Sequence, residues 1–267
     1  MQVGRKLIDL VLKKVGIEEG DVVLLHSDST AIREITELKW ADVLDLLKDS
    51  FINVLGASGT LIVPTFNWDF CKGKTYYHNK TPSQVGVFTN NMLNDKRCIR
   101  SFHPIYSFAG IGPAAKYLFS NISKSSFGKN SVFHKMHQIN AKIILFCLNP
   151  DIMKKDFTTT FIHYVEQIKG VDYRYIKYFK GKVNIGEKEY EDIFDFFVRF
   201  EDNPVEIDEK KIINHLLNTQ KLKRVLIKDK YPVCQISTKD LYDELMQMLD
   251  SDPYSLLKYP PRFLNNG

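Results

Sequence analysis

The sequence predicts an α/β fold with a mixed, largely parallel central sheet flanked by helices and an antiparallel C-terminal portion. Three observations carry that expectation. Two amphipathic stretches each run into a short apolar segment, "KLIDLVLKKVGI" into "DVVLLH" and "WADVLDLLKDSFINVLG" into "GTLIVPT", and two strands joined by a helical crossover of that length pair in parallel. Beyond Gly170 the texture changes to short alternating runs such as "YRYIKYFKGKVNI", the period of antiparallel strands with one solvated face. The composition, 44% apolar against 26% charged over 267 residues, supports one sizeable core; the expectation is a single domain over 1–267 with a soft internal boundary near 170.

The elements follow in order. The first helix stops at Gly16, and the first buried strand ends at His26. The second helix closes at Gly56, and Pro64, which has no N–H to give a ladder, halts the second strand. From Phe66 to Ser83 the chain is aromatic, lysine-rich and irregular, "FNWDFCKGKTYYHNKTPS". That is long for a structureless connection, so it is marked as a functional segment. A helix from Val87 to about Asn94 precedes two polar loops, "RSFHPIYSFAGIGP" and "SSFGKNSVFHKM", and then a third buried strand, "KIILFCL", at 142–148. After the alternating runs come a helix around Lys210–Thr219, a strand pair in "RVLIKD" and "YPVCQIS", and a terminal amphipathic helix in "TKDLYDELMQMLD". There is no internal repeat and no low-complexity segment.

Charge and cysteine usage exclude several classes. No apolar run is long enough to span a bilayer, and charges interrupt the N-terminal segment, so neither membrane insertion nor export is indicated. Cys71, Cys98, Cys147 and Cys234 are scattered without a CxxC pair, as expected of reduced thiols in a cytoplasmic protein, and no metal site is expected. The net charge of +5 favours phosphorylated ligands without requiring nucleic acid. It is uneven: residues 187–210 hold ten acidic side chains against three basic ones. Neither GxGxxG nor GxxxxGK[ST] occurs, so dinucleotide and P-loop readings lack their fingerprint.

The residues with chemistry to offer fall in three places. In "TTTFIHYVEQ" (158–167), His163 and Glu166 share a face if the stretch is helical. The carboxylate would then hold one ring nitrogen, fix the tautomer and raise the basicity of the other. Spacing alone leaves two readings open, a base with its orienting partner or an ordinary buried polar contact. At the end of the first strand, "LLHSDSTAI" places His26, Ser27, Asp28, Ser29 and Thr30 where backbone N–H groups and hydroxyls can converge on an anion, or where the chain merely turns. In "RSFHPIYSFAGIGP", Arg100, Ser101, His103 and Ser107 crowd polar groups among aromatics, the material of a narrow ligand channel or of a packed loop. His134 and His137 read as surface residues without a third metal ligand, Cys147 as core, and "QKLKRVLIKDK" as a solvated basic face.

Taken in order, "LLHSDST", "GTLIVPTFNWDF", "TPSQVGVFTN", "RSFHPIYSFAGIGP", "SSFGKNSVF" and "TTTFIHYVE" resemble, over about residues 20–170, the family of aminoglycoside 3-N-acetyltransferases and their relatives. The resemblance implies an acetyl-CoA-dependent N-acetyltransferase with an α/β fold distinct from the GNAT architecture. It implies His163 as general base, Glu166 as its orienting partner, direct attack in a ternary complex, and no metal. It also implies a coenzyme A channel lined by His26, Ser27, Ser29 and Thr30, by Ser101, His103, Pro104, Ser107 and Phe108, and by Phe127. Family members often carry a serine two residues before the histidine; Phe161 stands there in this chain, which puts a hydroxyl contact from that position in doubt.

For the acceptor, two amino-sugar classes remain. The basic remainder of the chain and the loop "FCKGKTYYHNK", with stacking surface and phosphate partners, favour a nucleotide-linked amino sugar of surface-polysaccharide biosynthesis. The acidic tract favours a polycationic aminoglycoside, and with it antibiotic resistance. An inactive coenzyme A-binding or nucleic-acid-binding module is the rival from another class, and a homo-oligomer is left open.

Overall fold

The computed structural model describes residues 2–148 and 159–262; Thr158 of the stretch singled out above lies outside them. The chain begins with α1 (Gln2–Lys14) and β1 (Val22–Ser27), as expected. It then forms a helix that the sequence had not suggested, α2 (Ser29–Thr36), before α3 (Trp40–Leu55) and β2 (Thr60–Pro64). The serine-rich segment after β1 is the start of α2: Asp28 Oδ1 accepts from the backbone N–H of Thr30 (2.8 Å) and Ala31 (3.4 Å), an N-cap.

The long segment after β2 is ordered from within. It contains a single 3-10 turn (Phe70–Lys72) and the two-residue strand β3 (Tyr76–Tyr77), and buries Phe66, Phe70 and Tyr76. There follow α4 (Val87–Leu93), β4 (Ile99–Arg100), β5 (Phe108–Ile111), α5 (Pro113–Phe119), α6 (Val132–Gln138) and β6 (Lys142–Phe146). Of these, β5 is too short and too glycine-punctuated to read as a strand from sequence. Gly112, which joins it to α5 with φ of +127°, has no room for a side chain: a Cβ would sit 2.3 Å from the Gly59 carbonyl oxygen.

The remainder is α7 (Phe161–Lys169), the hairpin β7 (Arg174–Ile185) and β8 (Lys188–Arg199), α8 (Glu209–Asn218), β9 (Lys223–Ile227), β10 (Tyr231–Ser237) and α9 (Thr238–Ser251). Seven strands form one mixed sheet in the order β4-β5-β2-β1-β6-β10-β9. Its parallel part is the central trio, with Val23 beside Leu61 of β2 and Leu25 beside Ile144 of β6. Antiparallel strands flank the trio on both sides, more of them than expected: β5 returns against β2, and β10 against β6. The C-terminal strands β9 and β10 therefore complete the main sheet, while β3, β7 and β8 form a second one.

Strand alternation builds two apolar layers. Val23, Leu25, Leu61, Val63, Ile144 and Phe146 face α1–α4. Leu24, Ile62 and Ile143 face α5–α7, α9 and the β7–β8 hairpin. The lysine- and arginine-bearing segment 220–230 is the edge strand β9, whose exposed charges discourage pairing with another chain. Among the described residues, no helix is long and apolar enough to cross a membrane.

The "RSFHPIYSF" segment is a polar staple between β4 and β5. Arg100 donates from Nε to Ser107 Oγ (3.1 Å), from Nη1 to the carbonyls of His78 (3.1 Å) and Thr81 (2.6 Å), and from Nη2 to that of Thr65 (3.2 Å). Ser101 Oγ accepts from Phe108 N (2.8 Å). His103 Nδ1 accepts from the backbone N–H groups of Ile105 (3.2 Å) and Tyr106 (2.9 Å), and its Nε2–H faces the Lys124 carbonyl at 3.3 Å. Burial pushes the imidazole down to about 4, so it folds neutral.

Its neutrality has a definite sign. Between pH 6.5 and 4 the unfolded chain binds a proton at His103 that the folded chain does not, so stability is full above pH 6.5 and falls as the pH drops toward 4. His103→Phe strands two buried N–H groups and a carbonyl; it is expected to cost about 2–4 kcal/mol at pH 7 and to flatten the pH dependence between 6.5 and 4. Urea unfolding at a series of pH values measures both, and an unchanged slope would contradict the assignment.

Candidate active site

The local chemistry of α7 places the two residues expected to act together. Phe161, Ile162, Tyr164 and Val165 are buried and fix the rotation of the helix, so the i, i+3 pair His163 and Glu166 projects on one side of it. Gly170 ends the helix in the left-handed conformation (φ 73°). Phe161, at the position where relatives often carry serine, is a core residue whose ring centroid lies 5.0 Å from that of Tyr164.

His163 Nδ1 is 2.6 Å from Glu166 Oε2. The glutamate side chain is fully buried, whereas that of His163 is 23% exposed, so only the imidazole reaches a cavity. A third group, Arg174 at the start of β7, brings Nε to 3.0 Å from the same Oε2 with its side chain 7% exposed. Tyr173 approaches the carboxylate as well. Burial pushes the Glu166 carboxyl up, but the combined pull of His163, Arg174 and Tyr173 leaves it below its ordinary value, an anion. With an ionised acceptor opposite, Nδ1 carries the proton and Nε2 is the free lone pair.

The basicity of the imidazole runs against the expectation from the pair alone. Burial, then the positive charge of Arg174, lower the His163 pKa, and the attraction of Glu166 offsets this only in part. A carboxylate already shared with a guanidinium stabilises an imidazolium less than a dedicated one would. His163 is thus held neutral near pH 7.

Two cavities meet at this imidazole. One, of about 390 Å³, lies at the carboxyl ends of the parallel strands and is lined by Leu25, His26, Ser27, Ser29, Pro64, Phe66, Val85, Gly86, Phe88, Thr89, Leu148 and Thr160. Such strand-end crevices are where open α/β sheets bind ligands. The other, of about 500 Å³, lies against β8 and the following loop and is lined by Arg174, Phe196 to Glu201, Pro204, Val205, Ile207 and Glu209. Trp68, Tyr106 and His163 belong to both walls.

The residues expected to line a coenzyme channel divide cleanly. His26, Ser27 and Ser29 lie on the strand-end cavity; His26 Nε2 is 3.0 Å from Thr159 Oγ1, and burial pushes its imidazole down to about 4. Thr30 is exposed and borders neither cavity, its N–H being spent on the Asp28 cap. Ser101, His103, Pro104, Ser107 and Phe108 are buried in the β4–β5 staple and line neither cavity. Phe127 is fully buried with its ring centroid 6.3 Å from that of His163, and it lines neither cavity.

Several wall residues escaped the sequence reading. Trp68 stands in the loop marked as functional; Phe70 and Tyr76 of that loop are core, Lys74 pairs with Asp69 at 2.9 Å, and none of the loop's lysines lines either cavity. Tyr106 was hidden among polar residues that drew attention away from it. Arg174 had a usable signal, since the Gly170 turn sends the chain back past the helix end, with Val171 N bonded to the Glu166 carbonyl at 3.2 Å.

The remaining candidates stay outside the site. Burial pushes the Cys147 thiol well above its ordinary range, which removes it as a nucleophile. His137 is half-buried rather than superficial, stacked on Tyr242 at 4.3 Å and 3.1 Å from the Tyr164 hydroxyl. Half of the acidic tract belongs to the hairpin, with Lys180–Glu191 at 2.8 Å and Lys124–Asp192 at 2.6 Å; of the tract, only Glu201 and Glu209 reach the larger cavity. Among the described residues, no group of three or more His, Cys, Asp or Glu is placed to hold a metal ion.

Solved structures share this architecture. AAC-IIIb, in a binary complex with CoASH, superposes with a TM-score of 0.76 at 15% identity, covering 92% of this chain and 96% of that one. AAC-VIa bound to sisomicin gives 0.74 at 16%, covering 92% and 97%. The YokD protein from Bacillus subtilis gives 0.72 at 17%, covering 93% and 99%. At these identities the likeness is one of fold, and it is a fold of acetyltransferases outside the GNAT class. No curated protein sequence matches the chain significantly. Residues 24–250 match the family model described as aminoglycoside 3-N-acetyltransferase, and the chain belongs to that family.

Proposed function

We propose that this protein transfers the acetyl group of acetyl-CoA to a primary amine of an aminoglycoside-type amino sugar, with His163 as general base and residues 1–267 acting as one catalytic unit. The observation that carries the reading is the convergence of two separate cavities on one neutral imidazole, an arrangement suited to presenting two substrates to each other. The strand-end cavity suits the pantetheine arm: apolar walls from Leu25, Phe66 and Phe88 stand with the hydroxyls of Ser27 and Ser29 beside the capped start of α2. The larger cavity suits the sugar, with Trp68 and Tyr106 as ring surfaces and Glu201 and Glu209 as partners for ammonium groups. Family membership favours this acceptor over a nucleotide-linked amino sugar, for which the lysine-bearing loop offers no phosphate site beside the base. The reaction needs a pool of acetyl-CoA, a requirement that supports a cytoplasmic location.

The chemistry follows from the dyad. Nε2 of His163 takes a proton from the amine as its nitrogen attacks the thioester carbonyl, and Glu166 stabilises the imidazolium through Nδ1–H. The C–N bond forms, the tetrahedral intermediate collapses, the C–S bond breaks, and the imidazolium returns its proton to the departing thiolate. No covalent enzyme intermediate is involved, consistent with a Cys147 thiol held protonated by burial.

His163→Ala is expected to lower kcat/KM by about 10²–10⁴-fold, the usual contribution of a general base. Thiol release from acetyl-CoA with aminoglycosides set beside nucleotide-linked amino sugars is the direct test. Near-wild-type turnover of the variant would remove the base role, and turnover confined to nucleotide-linked acceptors would replace the substrate class. Because His163 must be neutral to act and its pKa is lowered, the acid limb of the kcat/KM profile is expected below pH 6.5.

A further inference from the structure

Granted the base role of His163, on which this step rests, we propose that Arg174 is a positioning residue of the reaction: it shares Glu166 Oε2 with the imidazole, and so keeps the carboxylate charged and the base free. The geometry is specific. Oε2 lies 2.6 Å from His163 Nδ1 and 3.0 Å from Arg174 Nε, one oxygen between two nitrogens, in a carboxylate with no solvent exposure. The Arg174 side chain is itself buried, yet it lines the same cavity as His163.

A buried carboxylate needs a positive partner. Among the described residues the groups that face it are His163 on its own helix and Tyr173 and Arg174 at the start of the hairpin. Were the imidazole the sole partner, Glu166 would be neutralised best by an imidazolium, whose Nε2 already holds a proton and cannot accept one from the amine. A guanidinium never deprotonates in this range, so Arg174 supplies the charge permanently and leaves the imidazole to supply only a hydrogen bond. Among the described residues, the charged groups facing His163 are Glu166 from α7, Arg174 from β7 and Arg199 from β8, the last two being cross-strand partners. Both arginines oppose protonation of the ring, as burial does, and Glu166 favours it.

A purely structural arginine would affect folding and leave the protonation of His163 alone. The test therefore reads the ring directly. In Arg174→Gln, the His163 imidazole followed by NMR titration is expected to titrate at higher pH than in wild type. The acid limb of kcat/KM should move with it, and a displacement of one pH unit lowers kcat/KM by about tenfold at pH values below both limbs. Arg174→Lys, which keeps the charge, is expected to bring the limb back toward wild type.

An unmoved titration in Arg174→Gln overturns this inference alone. A titration that moves while the kinetic limb stays in place overturns the base role of His163, and the inference with it. Should Arg174→Gln fail to fold, Glu166→Gln compared with Glu166→Gln/Arg174→Gln reads the same charge without burying an unpaired anion. The double variant is expected to titrate higher than the single one, and equal titration would overturn the proposal.

Discussion

The constraint on which the site depends is the burial of one negative charge. Glu166 is fully enclosed between α7 and the start of the hairpin, and a carboxylate in such a place is tolerated only with a cation and hydrogen-bond donors around it. Two partners bear on its Oε2, one permanent and one exchangeable, while Oε1 has no hydrogen-bond partner among the described residues. Arg174 holds the charge, and His163 adds a hydrogen bond through Nδ1. The dyad's geometry and its protonation state thus have a single cause.

The fold is arranged to satisfy this constraint at a useful place. The parallel trio β2-β1-β6 directs its carboxyl ends toward one crevice, and the residues following β1 and β2 line it. Helix α7 enters that region with an apolar face committed to the core, which leaves its polar pair no freedom to rotate. The hairpin β7–β8 then crosses behind it, bringing Arg174 from one strand and the second cavity's wall from the other. The main sheet walls one cavity, the small sheet the other, and the imidazole stands where they meet.

Much of this was legible in the residues, and the failures have identifiable physical origins. The helix-then-strand pattern located β1, β2 and the helices before them, and the apolar run located β6, because amphipathic periodicity and glycine stops are local properties; α5 and α6, a short turn or two each, read as loop. The helix α2 was missed because Ser29–Thr36 opens with hydroxyl residues that read as a turn until Asp28 is seen to cap them. The "RSFHPIYSF" segment misled in the opposite sense. Its arginine, serines and histidine look like ligand-binding groups, yet they satisfy backbone groups within the loop, and the hydrophobic-looking Tyr106 between them is the one that reaches the cavities. Polar residues in a loop report a demand for hydrogen bonds, and sequence does not say whether a ligand or the chain itself makes the demand.

By itself the sequence determined the layered α/β class, the pairing of His163 with Glu166 on one helical face, and the collinear motifs that place the chain in its family. All of these depend on spacing along one element or on the order of segments. Only the tertiary structure decided which histidine faces a cavity, which serines line it, and that Arg174 stands on the far side of Glu166. Those depend on where two distant segments are brought together, and on how much water is excluded when they meet. The ionisation of a buried pair is a property of that enclosure, which no run of residues carries alone.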